Sequence, residues 1–202
     1  MVIKDRKLST KDIEEKLNNF DYKLLDKPGR NKGDRGQILE IALGIKMSSD
    51  LNDLIDGELK TFTVGESIAV TQIKHCLNEI ISNSVSYEDS KVGKKLKQII
   101  YVGFDRENNF MGVAKINKAK FPEHYSSLEE DFDYISKEIR KVFMQRGELH
   151  TINGPNKIMQ IRTKASKSKV NGHYTPLVFN GHQLKDKYMA FYLRASFGQS
   201  IF

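Results

Sequence analysis

The ten residues DLIDGELKTF, 53 to 62, carry the densest chemistry in the chain. The run Gly57–Phe62 reads as a strand, and alternate side chains of a strand share a face, so Glu58 and Lys60 point the same way. Asp53 and Asp56 stand just upstream. Carboxylates that converge without histidines suit a hard divalent cation such as Mg2+, which prefers oxygen ligands. Such an ion polarises a phosphodiester and acidifies a bound water. A lysine beside it can orient that water or hold charge on the scissile phosphate. Glu-x-Lys by itself is common, and a surface ion pair gives the same pattern.

Two further residues could join the cluster. Glu40 lies in a helical pattern with Gly36 and Gly44 four residues to either side, on one face. Glycines there leave room for a close neighbour, a strand or a nucleic-acid backbone. Lys95, in KKLKQIIYV, precedes another strand and could bring a second cation.

The elements that must position these residues read as mixed α/β. Ser9 followed by Asp12 is an N-cap signal, and Ile13, Leu17 and Phe20 make an apolar stripe at helical spacing. A glycine-rich polar loop, 26–36, leads to a helix over about 36–46. A strand over 57–64 is followed by a second in SIAVTQI. The segment NEIISNSVSYEDSKVGKK is a polar connection with some helical character. QIIYVGF and FMGVAKI pair across Asp105–Asn109. A long helix is predicted from Ser127 to about Arg146, with Gly147 as its C-cap. KIMQIRT is a strand, and the two Asn-Gly-His triplets at 171 and 180 read as tight turns rather than a histidine site.

Composition bounds the rest. The chain has 202 residues, 39% hydrophobic and 29% charged, which fits one folded domain rather than a disordered chain. No apolar run spans a membrane and the N-terminus lacks an apolar signal segment, so no membrane partner is expected. The single cysteine, Cys76, suits a reducing cytoplasm and a structural role. There is no phosphate-binding loop, no zinc spacing among the five histidines and no Gly-x-Ser-x-Gly elbow. The acidic run 50–57 fails as an EF-hand because Leu54 occupies a ligand position. Net charge is +7. Residues 162–194 hold seven cations, among them Arg162, Lys164, Lys167 and Lys169, against one acid, Asp186, with Tyr174, Tyr188, Phe191 and Tyr192 interleaved. Cations with stacking rings suit a nucleic-acid surface.

The stretch NKGDRGQILEIALG followed by DLIDGELKTFTV resembles the MutH-type endonucleases, which comprise a mismatch-repair nicking enzyme and related type II restriction enzymes. The family's motifs fall on Lys32-Gly33, Glu40, an aspartate, and Glu58-Leu59-Lys60-Thr61. Its further active-site lysine falls on Lys95, and its C-terminal segments on MQIRTKAS and AFYLRASF. The match runs in order from about residue 30 to 202. Asp53 is assigned as the aspartate, with Asp50 and Asp56 as competitors, because only 18 residues separate Glu40 from Glu58. Thr163 stands where the repair enzyme has proline. The resemblance implies a PD-(D/E)xK restriction-endonuclease-like fold: a central mixed sheet with flanking helices, in two lobes that hold DNA in a cleft. It implies a single endonuclease domain, with a catalytic lobe over about 1–120 and a DNA-recognition lobe over about 121–202. Glu40, Asp53, Glu58, Lys60 and Lys95 would be catalytic, the three carboxylates holding Mg2+. Lys32, Arg162, Lys164, Lys167, Lys169 and Tyr192 would contact double-stranded DNA. A site-specific restriction enzyme is the expected activity; a repair nickase and a catalytically inactive DNA-binding module are the rivals. A homodimer on DNA, and a methyltransferase or mismatch-repair proteins as functional partners, belong to the same expectation.

Overall fold

The strand QIIYVGF is apolar at odd and even positions alike, so it can only be satisfied where both faces are covered. In a computed structural model of the chain, which describes residues 7–25, 34–45, 51–164 and 172–202, it is the hub. Taken in chain order, the elements start with α1 (Thr10–Leu17) and α2 (Asp34–Leu43), then β1 (Glu58–Thr63), β2 (Ile68–Gln72), α3 (Leu77–Ser82) and α4 (Lys91–Leu96). They continue with β3 (Gln98–Phe104), β4 (Phe110–Asn117), α5 (Pro122–Met144), β5 (Ile152–Asn153) and β6 (Met159–Thr163). β7 (Leu177–Phe179), β8 (His182–Lys185), β9 (Met189–Leu193) and α6 (Ala195–Ser200) complete the chain. The protein is mixed α/β.

The first sheet has three strands in the order β1-β3-β4. β1 runs parallel to β3, with Glu58 opposite Ile99 and Lys60 opposite Tyr101, and β4 is antiparallel to β3. The sheet is therefore mixed and three strands wide. Ile100, Val102 and Phe104 of β3 join Leu59, Ile13, Leu17, Leu39 and Leu43 in one core beneath α1 and α2. Ile99 and Tyr101 face the other way, into a larger core with Phe62, Leu128, Phe132, Ile135, Ile139, Ile161 and Phe191. Each large side chain so buried is worth about 1.5–3 kcal/mol.

A second, antiparallel sheet has the order β2-β9-β6-β5 and packs against α5. β2 pairs with β9 from the far end of the chain, so this sheet draws on both halves of the sequence. β7 and β8 form a hairpin, with Asn180 (φ 46°) and Gly181 (φ 74°) supplying its left-handed turn. Asn171 of the other triplet lies outside the described residues.

Local chemistry sets the helix ends. Ser9 accepts from the Asp12 N–H while an Asp12 oxygen accepts from the Ser9 N–H (2.8 Å), a full capping box. α5 begins at Pro122, five residues before the expected Ser127, because proline fits the first helical position, where no N–H is needed. Its end also differs: Arg146 (φ 52°) adopts the left-handed conformation, and Gly147 donates to the Val142 carbonyl (2.9 Å). Among the described residues no helix is long and apolar enough to cross a membrane. Cys76 is buried, and burial, then Glu79, pushes its thiol up, which leaves it a poor nucleophile.

Candidate active site

Glu58 opens β1 and has no exposed surface. A buried carboxylate needs donors or cations around it, and two lysines supply them. Lys60, two residues on along the same face, donates to Glu58 Oε2 at 3.3 Å. Lys95 reaches Glu58 Oε1 from the last turn of α4. That short helix is fixed by its own chemistry. Ser90 Oγ accepts from the Gly93 N–H (2.9 Å), and a Cβ on Gly93 would lie 1.9 Å from the Tyr87 carbonyl oxygen. Only glycine lets α4 settle there and aim Lys95.

Asp53 approaches from the loop before β1. Its Oδ2 is 3.9 Å from Lys60 Nζ, is buried, and has no hydrogen-bond donor. Asp53 and Glu58 shift each other's carboxyl. Burial works to raise the Asp53 carboxyl, but the hydrogen bond from Glu58, Lys60, Lys95 and the Leu59 N–H together hold it below the usual range. Glu58 takes the opposite shift: burial first, then Asp53, push it up to about 7 against the pull of the two lysines.

Asp56 is engaged elsewhere. It accepts from the Thr10 N–H (2.7 Å), the Thr10 hydroxyl (2.9 Å) and Gln98 Nε2 (3.0 Å), tying α1 to the start of β3. Of the three competing aspartates, Asp53 faces the lysines, Asp56 is a structural anchor, and Asp50 lies outside the described residues. Glu40 stands on α2, where its carboxyl is raised by burial first and then by Asp53. Gly36, one turn earlier, packs against β1, since a Cβ there would meet Thr61 Oγ1 at 3.2 Å. Gly44 serves differently, as a left-handed residue (φ 79°) just after α2. Glu40 is thus within electrostatic reach of the pair, yet among the described residues no three carboxylate, histidine or cysteine groups stand close enough to share one metal ion.

Arg162 and Tyr192 lie on neighbouring strands. Arg162 is opposite Ala190 and Gln160 opposite Tyr192, so the two are diagonal neighbours on one face. The guanidinium sits 4.4 Å from the Tyr192 ring centroid. Tyr192 is buried beneath it, a cradle for arginine rather than an open ring. Lys164, just past β6, is exposed; burial of its ammonium and the charge of Lys60 hold it below the usual lysine range. Lys164 thus lies within electrostatic reach of Lys60. Lys32, Lys167 and Lys169 lie outside the described residues.

The sequence offers no sign of Asp131, which has no exposed surface in α5 and accepts from the N–H groups of Asn156 (2.7 Å), Ile158 (2.9 Å) and Met159 (2.8 Å). It fixes the start of β6, and with it Arg162 and Lys164. No protein-family model matches the chain, and no curated protein matches it.

The pair's strain sets a pH dependence. Folding raises Glu58 from 4.5 to about 7, so the folded state binds that proton more tightly than the unfolded chain. Its stabilising effect is complete below about 4.5 and is lost as pH rises through 7. Asp53 shifts the other way, and its contribution is lost only at more acid pH. In chelator, the unfolding free energy of Glu58→Gln relative to the parent should move in the variant's favour by about 1–3 kcal/mol between pH 5 and pH 8. Urea unfolding at both pH values measures this; a constant difference would contradict the shift.

Proposed function

We propose that this chain is a Mg2+-dependent, sequence-specific DNA endonuclease of the PD-(D/E)xK kind, related to the MutH-type enzymes and acting in the cytoplasm as a type II restriction enzyme. The observation that carries the reading is Glu58: a fully buried carboxylate held between Lys60 and Lys95, beside an aspartate whose buried Oδ2 lacks a donor. Asp53 Oδ2 is buried without a hydrogen bond, with only Lys60 at 3.9 Å to offset its charge, and Glu58 is lifted to about 7. Both are what a hard divalent cation would relieve, and the donors are all oxygen. Asp53 and Glu58 would hold it, with Glu40 adding negative charge from α2.

A divalent ion bound there supplies Lewis-acid polarisation of a phosphodiester and a more acidic water. The chain's own groups do the rest. Lys95 pins one Glu58 oxygen and so fixes the carboxylate's orientation. Lys60 presents donors to the attacking water or to a phosphate oxygen where negative charge grows. Lys164 adds a second cation on the same side. Arg162, held on Tyr192 in a rigid strand, has the fork that matches a guanine edge, and Lys32, Lys167 and Lys169 are assigned to phosphates. A homodimer would bring two such sites to a palindromic duplex.

Supercoiled plasmid in Mg2+ should become discrete linear fragments; accumulation of open circles alone would favour the repair nickase, and binding without cleavage the inactive module. Arg162→Ala should weaken binding to the cognate duplex by about 1–3 kcal/mol and leave a scrambled duplex nearly unaffected. Paired titrations in Ca2+ measure this; equal losses on both duplexes would make Arg162 a phosphate anchor only.

A further inference from the structure

The basic residues that stand out in the sequence lie in the C-terminal segment, but a second group forms on the 3-10 turn Ile73–His75 and the start of α4. Lys74 places its ammonium 4.6 Å from the centroid of the Tyr188 ring, and Tyr188 in turn accepts from the Lys164 N–H through its carbonyl (2.8 Å). Lys91 donates from its ammonium to the His75 carbonyl (2.5 Å). Lys95 lies one turn further along α4, against Glu58. His75 thus sits among three lysines. Its imidazole is held below the ordinary range, by burial first and then by Lys74, Lys91 and Lys95. Among the described residues neither Lys74 nor Lys91 forms an ion pair with a carboxylate. The nearby acid, Glu79, spends Oε1 on the Lys91 backbone N–H (2.9 Å).

Lys74 and Lys91, like charges close together without an ion-paired carboxylate, raise the free energy of the folded protein, and a polyanion offsets that cost. The group also has a direction. It starts at the lysine that touches Glu58 and ends at Tyr188, beside Lys187, whose ammonium lies 4.5 Å from the Tyr174 ring centroid. We propose that Lys74, His75 and Lys91 form a track for the sugar–phosphate backbone of duplex DNA, leading from the carboxylate cluster toward Tyr188 and Lys187. The inference rests on the nuclease reading. Its contacts are to phosphates, so they add affinity and register but no choice of sequence.

The test is a set of titrations in Ca2+ over a salt series, on cognate and mixed-sequence duplexes. The proteins are the parent, Lys74→Ala/Lys91→Ala, and Lys11→Ala/Lys23→Ala, a control with the same change in net charge at exposed positions on α1 and the turn after it. Thermal melts confirm that each is folded. The slope of log K against log salt should be shallower by about two units in the Lys74/Lys91 variant, equally on both duplexes, and unchanged in the control. Equal changes in the two variants, or no change in either, would overturn the track while leaving the nuclease reading intact. Equally tight, lysine-dependent binding to phosphatidylserine vesicles would overturn its assignment to DNA. A parent that binds no duplex at low salt removes the nuclease reading, and the track with it.

Discussion

Glu58→Ala and Lys60→Ala should each abolish DNA cleavage, by at least about a thousandfold, while binding to duplex DNA in Ca2+ persists. Loss of Glu58 removes the carboxylate that Lys60 and Lys95 both grip and leaves two cations without their partner. Loss of Lys60 removes the cation that pairs with both Glu58 (3.3 Å) and Asp53 (3.9 Å). Interactions that strengthen as charge develops in the transition state are typically worth about 3–4 kcal/mol each, which converts to two or three orders of magnitude in rate, and a lost ion ligand adds to that. Asp53→Asn should behave like Glu58→Ala. Asp56→Asn should cut nearly as well as the parent yet be less stable, because its hydrogen bonds to Thr10 and Gln98 are structural. Near-normal cleavage by the Lys60 variant would refute the assignment of the site.

Asp131→Ala should cost about 3–5 kcal/mol of stability. The substitution removes the acceptor of three backbone N–H groups, and the buried one of Met159 alone costs about 1–3 kcal/mol when left unpaired, those of half-buried Ile158 and exposed Asn156 less. It also opens a void beside Gly154, where a Cβ would have stood 2.1 Å from the Asp131 carboxyl carbon. Domains of this size have about 5–15 kcal/mol in all, so the variant should sit near the edge of folding. Asp131→Asn, which keeps one acceptor oxygen, should lose less. Urea unfolding of the two variants checks the order; a loss below about 1 kcal/mol for alanine would mean that the turn at 154–159 holds without the carboxylate.

Much of the site is legible in the sequence because strand geometry fixes it locally. Glu58 and Lys60 must share a face if the Gly57–Phe62 run is a strand, and β1 covers Glu58–Thr63. Glu40 follows from helical spacing in the same way. Partners distant in sequence are different. That Lys95 reaches Glu58, and that Asp131 anchors β6, depends on tertiary contacts across 37 and 25–28 residues. The sequence favours Asp53 but leaves Asp56 as a competitor, and only the fold shows Asp56 engaged in holding α1. The helices α3 and α4 read only as a polar connection with some helical character because six-residue helices have little intrinsic stability and form through packing. Tyr192 has the composition of a stacking ring, yet its position opposite Gln160 and under Arg162 buries it. Pairing of β2 with β9, across more than a hundred residues, leaves no local trace at all.

The central claim is most directly tested by incubating the parent and Lys60→Ala with methylated and unmethylated plasmid DNA, in Mg2+ and in chelator, and sequencing the fragment ends. The account predicts discrete fragments with one shared end sequence, only from the parent and only in Mg2+. Intact DNA under every divalent condition, or fragments that persist with Lys60→Ala or in chelator, would contradict it.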